Sequence, residues 1–133
     1  MTQGFGKDKM AIINRNKSFA IGIQARMNSK RLPQKIFKKI GNLSVIETLL
    51  SRLYLEFDKA SIFVLLPKTE HDNYLASWLT DQHVNFLRGS EEDVLSRYCD
   101  LVDFTQVDYI VRITADCPLI DPSIIRDMMD GII

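Results

Sequence analysis

The sequence predicts an α/β domain in which helices cover both faces of a mainly parallel sheet, giving three layers and a Rossmann-like architecture. Short apolar runs typical of buried strands alternate with segments whose apolar residues recur at helical spacing. Ser44, Thr69 and Ser90 each precede an acidic residue by three positions, a pattern typical of a capping box at a helix start. Strands that alternate with helices in this way pair in parallel.

The first elements follow a polar segment. Residues 1–17 show little periodicity, and we predict a polar, weakly ordered tail before a folded domain over residues 18–133. Residues 19–25 form a continuous apolar run, typical of a buried first strand. The first helix is predicted over residues 44–57, where the inward positions are Val45, Ile46, Leu49, Leu50, Leu53 and Phe57.

Three further strands and three further helices complete the predicted pattern. The second strand is predicted over residues 62–66, the third over 84–87 and the fourth over 109–114. The second helix is predicted over residues 69–82 and the third over 91–104. The third should turn five apolar residues inward: Val94, Leu95, Tyr98, Leu101 and Val102. A last helix should begin near Pro122, with Asp121 as its N-cap.

The predicted topology places a ligand crevice at one edge of the sheet. If strands two and three lie on one side of strand one, strand four can pair on the other side. Ligands of open parallel sheets bind at the carboxyl ends of the strands where the strand order reverses. The crevice should then lie between the loop over residues 26–35 and the segment over residues 114–118.

Charge is distributed unevenly along the chain. Formal net charge is zero, but residues 1–41 carry ten cations against one acid, Asp8. No acid lies between Ser18 and Ser44. Such asymmetry is typical of an anion site or of a solvated basic face, and charge alone does not separate the two.

Composition narrows the class of protein. The balance of 46% hydrophobic and 26% charged residues is that of a soluble globular domain. Two isolated cysteines, Cys99 and Cys117, suit neither a zinc site nor a disulfide framework. We therefore expect a reduced, cytoplasmic setting without secretion signal or membrane span.

The loop after the first strand gathers four cations, Arg26, Lys30, Arg31 and Lys35. It contains no glycine, so neither the P-loop nor the dinucleotide fingerprint is present. A triphosphate would have to be held by side chains, with arginine forks, lysine point charges and the Ser29 hydroxyl as donors.

Other candidates lie near the ends of the third and fourth strands. Asp116 is either a turn residue or a magnesium ligand, and its predicted position opposite the basic loop favours the ligand. Arg112 is expected to form an ion pair with a helix acid or to contact a ligand. Arg88 beside a helix start could hold an anion or a base edge, whereas Ser90 is interpreted as the cap. Cys117 lacks a histidine placed to activate it.

Three separated motifs resemble the sugar-acid cytidylyltransferases, which include the acylneuraminate and 3-deoxy-manno-octulosonate types. The first runs from Ile23 to Lys35 as IxARxxSxRLPxK, the second from Phe86 to Tyr98 as FLRGSEEDVLxRY, and the third from Val111 to Asp121 as VRITxDCPLID. The last two are most similar to the spore-coat-polysaccharide branch. The match covers about residues 19–127. Asn28 stands where these proteins often have glycine.

The resemblance implies a nucleotide-diphospho-sugar transferase fold that binds CTP and Mg²⁺. It implies that Arg26 and Lys35 stabilise phosphate charge and that Asp116 binds the metal. The other implied nucleotide contacts are Ala25, Ser29, Arg31, Arg88, Ser90, Asp93 and Arg112. The expected reaction transfers CMP to a sugar or sugar acid and releases pyrophosphate, in surface polysaccharide biosynthesis.

Family members extend well beyond the length of this chain, so the resemblance implies a nucleotide half-site and a fold incomplete at the C-terminus. The expected partners are a nucleoside triphosphate and a sugar, with a homodimer as an open alternative. Two other functions remain open: a nucleotide-binding module without turnover, and a nucleic-acid-binding domain. The latter lacks aromatic residues interleaved with the basic loop.

Overall fold

The computed structural model describes residues 12–14, 17–27, 35–115 and 121–131. Within these ranges the strands are β1 Ile12–Asn14, β2 Lys17–Gln24, β3 Lys39–Ile40, β4 Leu43–Ser44, β5 Ile62–Pro67, β6 Phe86–Gly89 and β7 Tyr109–Thr114. The α-helices are α1 Val45–Glu56, α2 Asn73–Asp81, α3 Val94–Thr105 and α4 Pro122–Asp130.

The main sheet is parallel in the order β7–β2–β5–β6. β2 is central, and Ile23 is in register with Val64 of β5 and with Ile113 of β7. This is the predicted strand order, with the strand order reversing at β2. β1 pairs antiparallel with the start of β2, where Ile12 is opposite Ser18. β1 was not predicted, because three residues are too few to show an alternating pattern.

The two faces of the sheet are covered unequally. α1, α2 and α4 pack on one face, which we call the three-helix face, and they meet alternate residues of β2, including Phe19, Ile21 and Ile23. The other face, the α3 face, has a smaller core: Ala20, Phe63, Leu65, Tyr98, Leu101 and Val107. The three predicted layers are therefore present.

α3 approaches the sheet closely because two strand residues are glycines. A Cβ on Gly22 would lie 2.8 Å from Cε1 of Tyr98, and a Cβ on Gly89 would lie 2.7 Å from Cγ of Arg97. Both separations are shorter than van der Waals contact. The missing side chains on β2 and β6 thus let two large polar residues of α3 reach the sheet.

Helix starts differ in how well the sequence predicted them. α1 has the predicted capping box, in which Glu47 N–H donates to Ser44 Oγ and Ser44 N–H donates to Glu47 Oε1. The Thr69 prediction was wrong, since Thr69 makes no capping hydrogen bond and a 3-10 turn, Glu70–Asp72, precedes α2. The cap of α3 is Asp93, and Ser90 instead accepts a hydrogen bond from Asp93 N–H.

The inward face of α3 was also predicted incorrectly in part. Leu95 is 70% exposed and Val102 is 38% exposed, although both were expected to face inward. The buried residues are Arg97, Tyr98, Leu101 and Thr105. Apolar spacing alone gave the wrong inward face, because two of the four residues that α3 buries are an arginine and a threonine.

Candidate functional site

The ends of β2 and β7 lie side by side at the carboxyl edge of the sheet. Gln24 is in register with Thr114, and Ala115 N–H donates to Gln24 O at 2.9 Å. On the other side of β2, Ala25 N–H donates to Leu65 O at 3.0 Å. The strand order therefore creates the predicted crevice position between the chain segments that leave β2 and β7.

Arg26 is the first charged residue beyond β2, and it is exposed. Among the described residues, no acid lies within ion-pair distance of Arg26. Ala25 is buried, and its N–H is engaged in the sheet. Arg26 is thus a cation open to solvent at the expected edge.

The structure describes only part of the other residues predicted to bind phosphate or metal. Ser29, Arg31 and Asp116 lie outside the described residues, and so does Cys117. For Lys35 the structure describes the backbone, which begins a 3-10 turn, Lys35–Phe37. The proposed roles of these residues therefore stay predictions.

A buried carboxylate fixes the chain directly after Arg26. Asp72 is 1% exposed, and its Oδ1 accepts a hydrogen bond from Met27 N–H at 2.8 Å. Its Oδ2 accepts a hydrogen bond from the Thr69 hydroxyl. Burying a carboxylate is costly unless it is hydrogen-bonded, and both oxygens of Asp72 have donors. Sequence reasoning missed this role, because the local Thr-x-x-Asp pattern indicated a helix cap.

The residues that follow the basic loop pack against the three-helix face and against α2. Ile36 is buried in the core of the three-helix face. The Phe37 ring packs edge-on against Tyr74 and Trp78 of α2, with centroid separations of 5.2 and 5.4 Å. Met27 and Phe37, which flank the loop, are therefore both held by α2 or by the turn that leads into it.

Arg112 is exposed on β7, and its described partners are neutral. Its Nη2 donates to Gln24 Oε1 at 3.0 Å, and the guanidinium lies 5.4 Å from the Tyr98 ring centroid. Burial raises the pKa of the Tyr98 hydroxyl, and the nearby Arg112 charge partly opposes that rise. Among the described residues no helix acid pairs with Arg112, which removes one of the two predicted interpretations within that part of the chain.

Arg88 lies near the carboxyl edge of the sheet and also makes structural hydrogen bonds. Its Nε donates to Pro67 O at 3.2 Å and its Nη2 donates to Thr69 O at 2.9 Å. These bonds tie β6 to the segment that leaves β5. Beside them lies an open cavity of 410 Å³, lined by Lys68, Thr69, Glu70, Asn73 and Arg88.

Ser90 and Asp93 build the start of α3 rather than a separate cluster. Asp93 Oδ1 accepts a hydrogen bond from Ser96 N–H at 3.1 Å, and both Ser90 and Asp93 are exposed. Their side-chain oxygens are used in local capping. Whether they also meet a nucleoside stays a prediction.

The histidines, the described cysteine and the described carboxylates do not form a further cluster of catalytic or metal-binding groups. His71 and His83 are exposed, and Cys99 is a free, exposed thiol. Within the described ranges no three potential ligands among His, Cys, Asp and Glu come together to hold a metal. In the same part of the chain, every helix is too short or too polar to cross a bilayer.

Comparison with known proteins gives a consistent family signal. A protein-family model described as cytidylyltransferase matches residues 20–132. An uncharacterised protein of Methanocaldococcus jannaschii is 41% identical over 97 residues, which is 73% of this chain and 40% of that protein. The spore coat polysaccharide biosynthesis protein SpsF of Bacillus subtilis is 31% identical over 113 residues, covering 82% of this chain and 47% of SpsF.

Solved structures agree on the fold. A cytidylyltransferase from Leptospira borgpetersenii serovar Hardjo-bovis superposes with a TM-score of 0.78 at 37% identity, over 85% of this chain and 48% of the other. A CMP:2-keto-3-deoxy-manno-octonic acid synthetase, solved in complex with CTP, gives a TM-score of 0.72 at 19% identity, over 86% and 46%. The chain thus spans less than half the length of these curated relatives and of these two structures.

Proposed function

The chain belongs to the cytidylyltransferase family, and from this premise we propose that it binds CTP with Mg²⁺ at the carboxyl edge of its sheet. In complete form the protein would transfer CMP to a sugar or sugar acid and release pyrophosphate, in surface polysaccharide biosynthesis. The observation that carries this proposal is the register of β2 with β7, which brings the segment containing Arg26 beside the end of β7.

The proposed reaction is an attack by a sugar hydroxyl oxygen on the α-phosphorus of CTP. A new oxygen–phosphorus bond forms, the bond to the bridging oxygen of the β-phosphate breaks, and pyrophosphate leaves with the electron pair. The hydroxyl proton passes to solvent. Such transfers depend on positioning and on charge neutralisation rather than on a covalent protein nucleophile.

In this proposal the basic loop supplies the charge. Arg26 and Lys35 would stabilise the transferring and leaving phosphates, and Ser29 and Arg31 would hold the remaining oxygens. Asp116 would hold Mg²⁺, and the ion would supply positive charge that offsets the negative charge of the phosphates. The exposure of Arg26 and the absence of a described acid beside it leave its guanidinium open to phosphate.

The ends of β6 and β7 would contact the nucleoside. Arg112 is exposed, and it contacts Gln24 at the end of β2. Arg88 uses Nε and one Nη2 donor on backbone carbonyls, so the Nη1 donors remain for a ligand. Ser90 and Asp93 would add contacts from the start of α3.

Calorimetric titration of the chain with CTP and MgCl₂ tests the binding step. A pyrophosphate-release assay with candidate sugars tests turnover. CTP binding without release would favour a nucleotide-binding module. If the chain binds neither CTP nor any other nucleoside triphosphate, the proposal is overturned. A steep salt dependence of oligonucleotide affinity would instead favour a nucleic-acid-binding domain.

Substitutions in the basic loop and at the proposed metal ligand give the sharpest test of turnover. In a form of the protein that releases pyrophosphate, we expect Lys35→Ala and Asp116→Asn to lower kcat by about 10²–10³-fold, because each removes charge stabilisation in the transition state. Circular dichroism should show an intact fold. His83→Ala, at an exposed site outside the crevice, is the matched control. Near-normal release from both variants would contradict the assignment.

A further inference from the structure

Arg97 is a buried cation on the inner side of α3. It is 3% exposed. Its aliphatic stem crosses Gly89, where a Cβ would lie 2.7 Å from Arg97 Cγ. Its guanidinium makes one described hydrogen bond, in which Nη1 donates to Leu65 O at 3.3 Å. The stem is thus fixed by packing, while the charged head is held by one long bond.

The hydrogen-bonding capacity of this guanidinium is incompletely used. Arg97 Nε is the only buried side-chain nitrogen or oxygen without a partner in the described part of the chain. In the same part, no carboxylate forms an ion pair with Arg97. A buried charge that lacks such compensation is costly, so folded proteins rarely contain one without a reason.

Electrostatic surroundings agree with this geometry. Burial lowers the pKa of the Arg97 guanidinium. Tyr98, Asp72 and Glu91 oppose that effect, whereas the charge of Arg26 reinforces it. Arg26 thus adds positive charge near Arg97, and an anionic ligand at this edge would offset both charges.

The position of Arg97 also points to the proposed nucleotide crevice. Leu65 O accepts hydrogen bonds from both Arg97 Nη1 and Ala25 N–H. The guanidinium consequently lies beside the residue at which β2 ends and the basic segment begins.

We propose that Arg97 is a nucleotide-contacting residue, whose guanidinium donates to an anionic oxygen of the bound nucleotide. This rests on the proposed function and adds to it a contact from the core of α3. The ligand oxygen would be the hydrogen-bond acceptor that Arg97 Nε lacks among the described residues. Arg97 thereby stores part of the binding free energy as an unsatisfied donor in the free protein.

The test uses two substitutions in the 133-residue chain. Arg97→Met retains the volume of the stem and removes the charge. Arg97→Lys retains a charge but loses Nε and the planar fork. Arg126→Met is the matched control, because Arg126 lies on α4, where it pairs with Glu56 at 3.2 Å and covers the Phe57 ring. Thermal unfolding of the free chains and calorimetric titration with CTP and MgCl₂ are measured for each.

We expect Arg97→Met to unfold at the same temperature as the parent chain or above it, because an uncompensated buried charge has been removed. Its affinity for CTP should fall about 10- to 100-fold, the loss that corresponds to a charged hydrogen bond. The CTP affinity of Arg97→Lys should lie between those of the parent chain and Arg97→Met. Arg126→Met should keep its CTP affinity. If Arg97→Met lowers the unfolding temperature and leaves the CTP affinity unchanged, Arg97 is a packing residue and the inference is wrong.

The two proposals fail in distinguishable ways. If the parent chain and Arg97→Met bind CTP equally, the proposed function stands and the role of Arg97 falls. If the parent chain does not bind CTP but inorganic tripolyphosphate raises its unfolding temperature, and does not raise that of Arg97→Met, the anion contact stands and the CTP assignment falls. If neither probe binds the parent chain, both are overturned.

Discussion

The two faces of the sheet bury charge in opposite ways. On the three-helix face, Asp72 sits at the start of α2 and both of its oxygens accept hydrogen bonds. On the α3 face, Arg97 is equally inaccessible but keeps an unsatisfied Nε. The first face also has the larger apolar core, with three helices against one. The contrast indicates that one face secures the fold while the other carries a group whose partner is supplied from outside.

The largest effect is expected for a substitution in the core of the three-helix face. Leu49 is fully buried on α1, and Leu49→Ala should lower the free energy of unfolding by about 2–5 kcal/mol through lost burial and a cavity. Leu55→Ala is the control on the same helix, because Leu55 is 88% exposed. Urea denaturation measures both. Equal losses in the two variants would mean that this face does not carry the stability assigned to it.

A smaller loss is expected where α3 meets β2. In Gly22→Ala, the new methyl group would lie 2.8 Å from Tyr98 Cε1 and 3.2 Å from side-chain atoms of Leu101 and Leu65. Overpacking of this kind costs about 1–3 kcal/mol, measured again by urea denaturation. Gly131→Ala is the control, since its nearest atom is Met128 O at 3.4 Å. A neutral Gly22→Ala would show that α3 can move away from the sheet.

The smallest expected effect concerns the charge on Asp72. Asp72→Asn can still accept a hydrogen bond from Met27 N–H but loses the charge that strengthens it, so we expect a loss of about 1 kcal/mol. Protection of the Met27 amide against hydrogen exchange should fall with it. Asp81→Asn, at the exposed end of α2, is the control. Unchanged Met27 protection would mean that the carboxylate does not hold this segment.

Local patterns predicted most of the fold. The apolar run of β2, the helical spacing of α1 and the ending of β7 at Thr114 are all encoded within a few neighbouring residues. The strand order also followed from these elements, because parallel pairing and a central first strand leave few arrangements. β1 was missed, since pairing with β2 rather than its own composition makes it a strand.

The site was less predictable, because its key contacts join residues far apart in the chain. Asp72 binds Met27 across 45 positions, and Arg97 binds Leu65 across 32. Asp72 stood in a pattern with a simpler local interpretation, a helix cap, and Arg97 stood only as one position of the second motif. Only the close packing permitted by Gly89 shows that the Arg97 stem lies against the sheet.

Both flanks of the basic loop are attached to α2 or to the turn before it, so movements of α2 are coupled to the loop. Met27 is held by Asp72, and Phe37 rests on Tyr74 and Trp78. Any excursion that lifts α2 from the sheet would release both flanks in the same event, as one cooperative unit of partial unfolding. A bound triphosphate would suppress that excursion, so exchange protection along α2 would report occupancy of the proposed site.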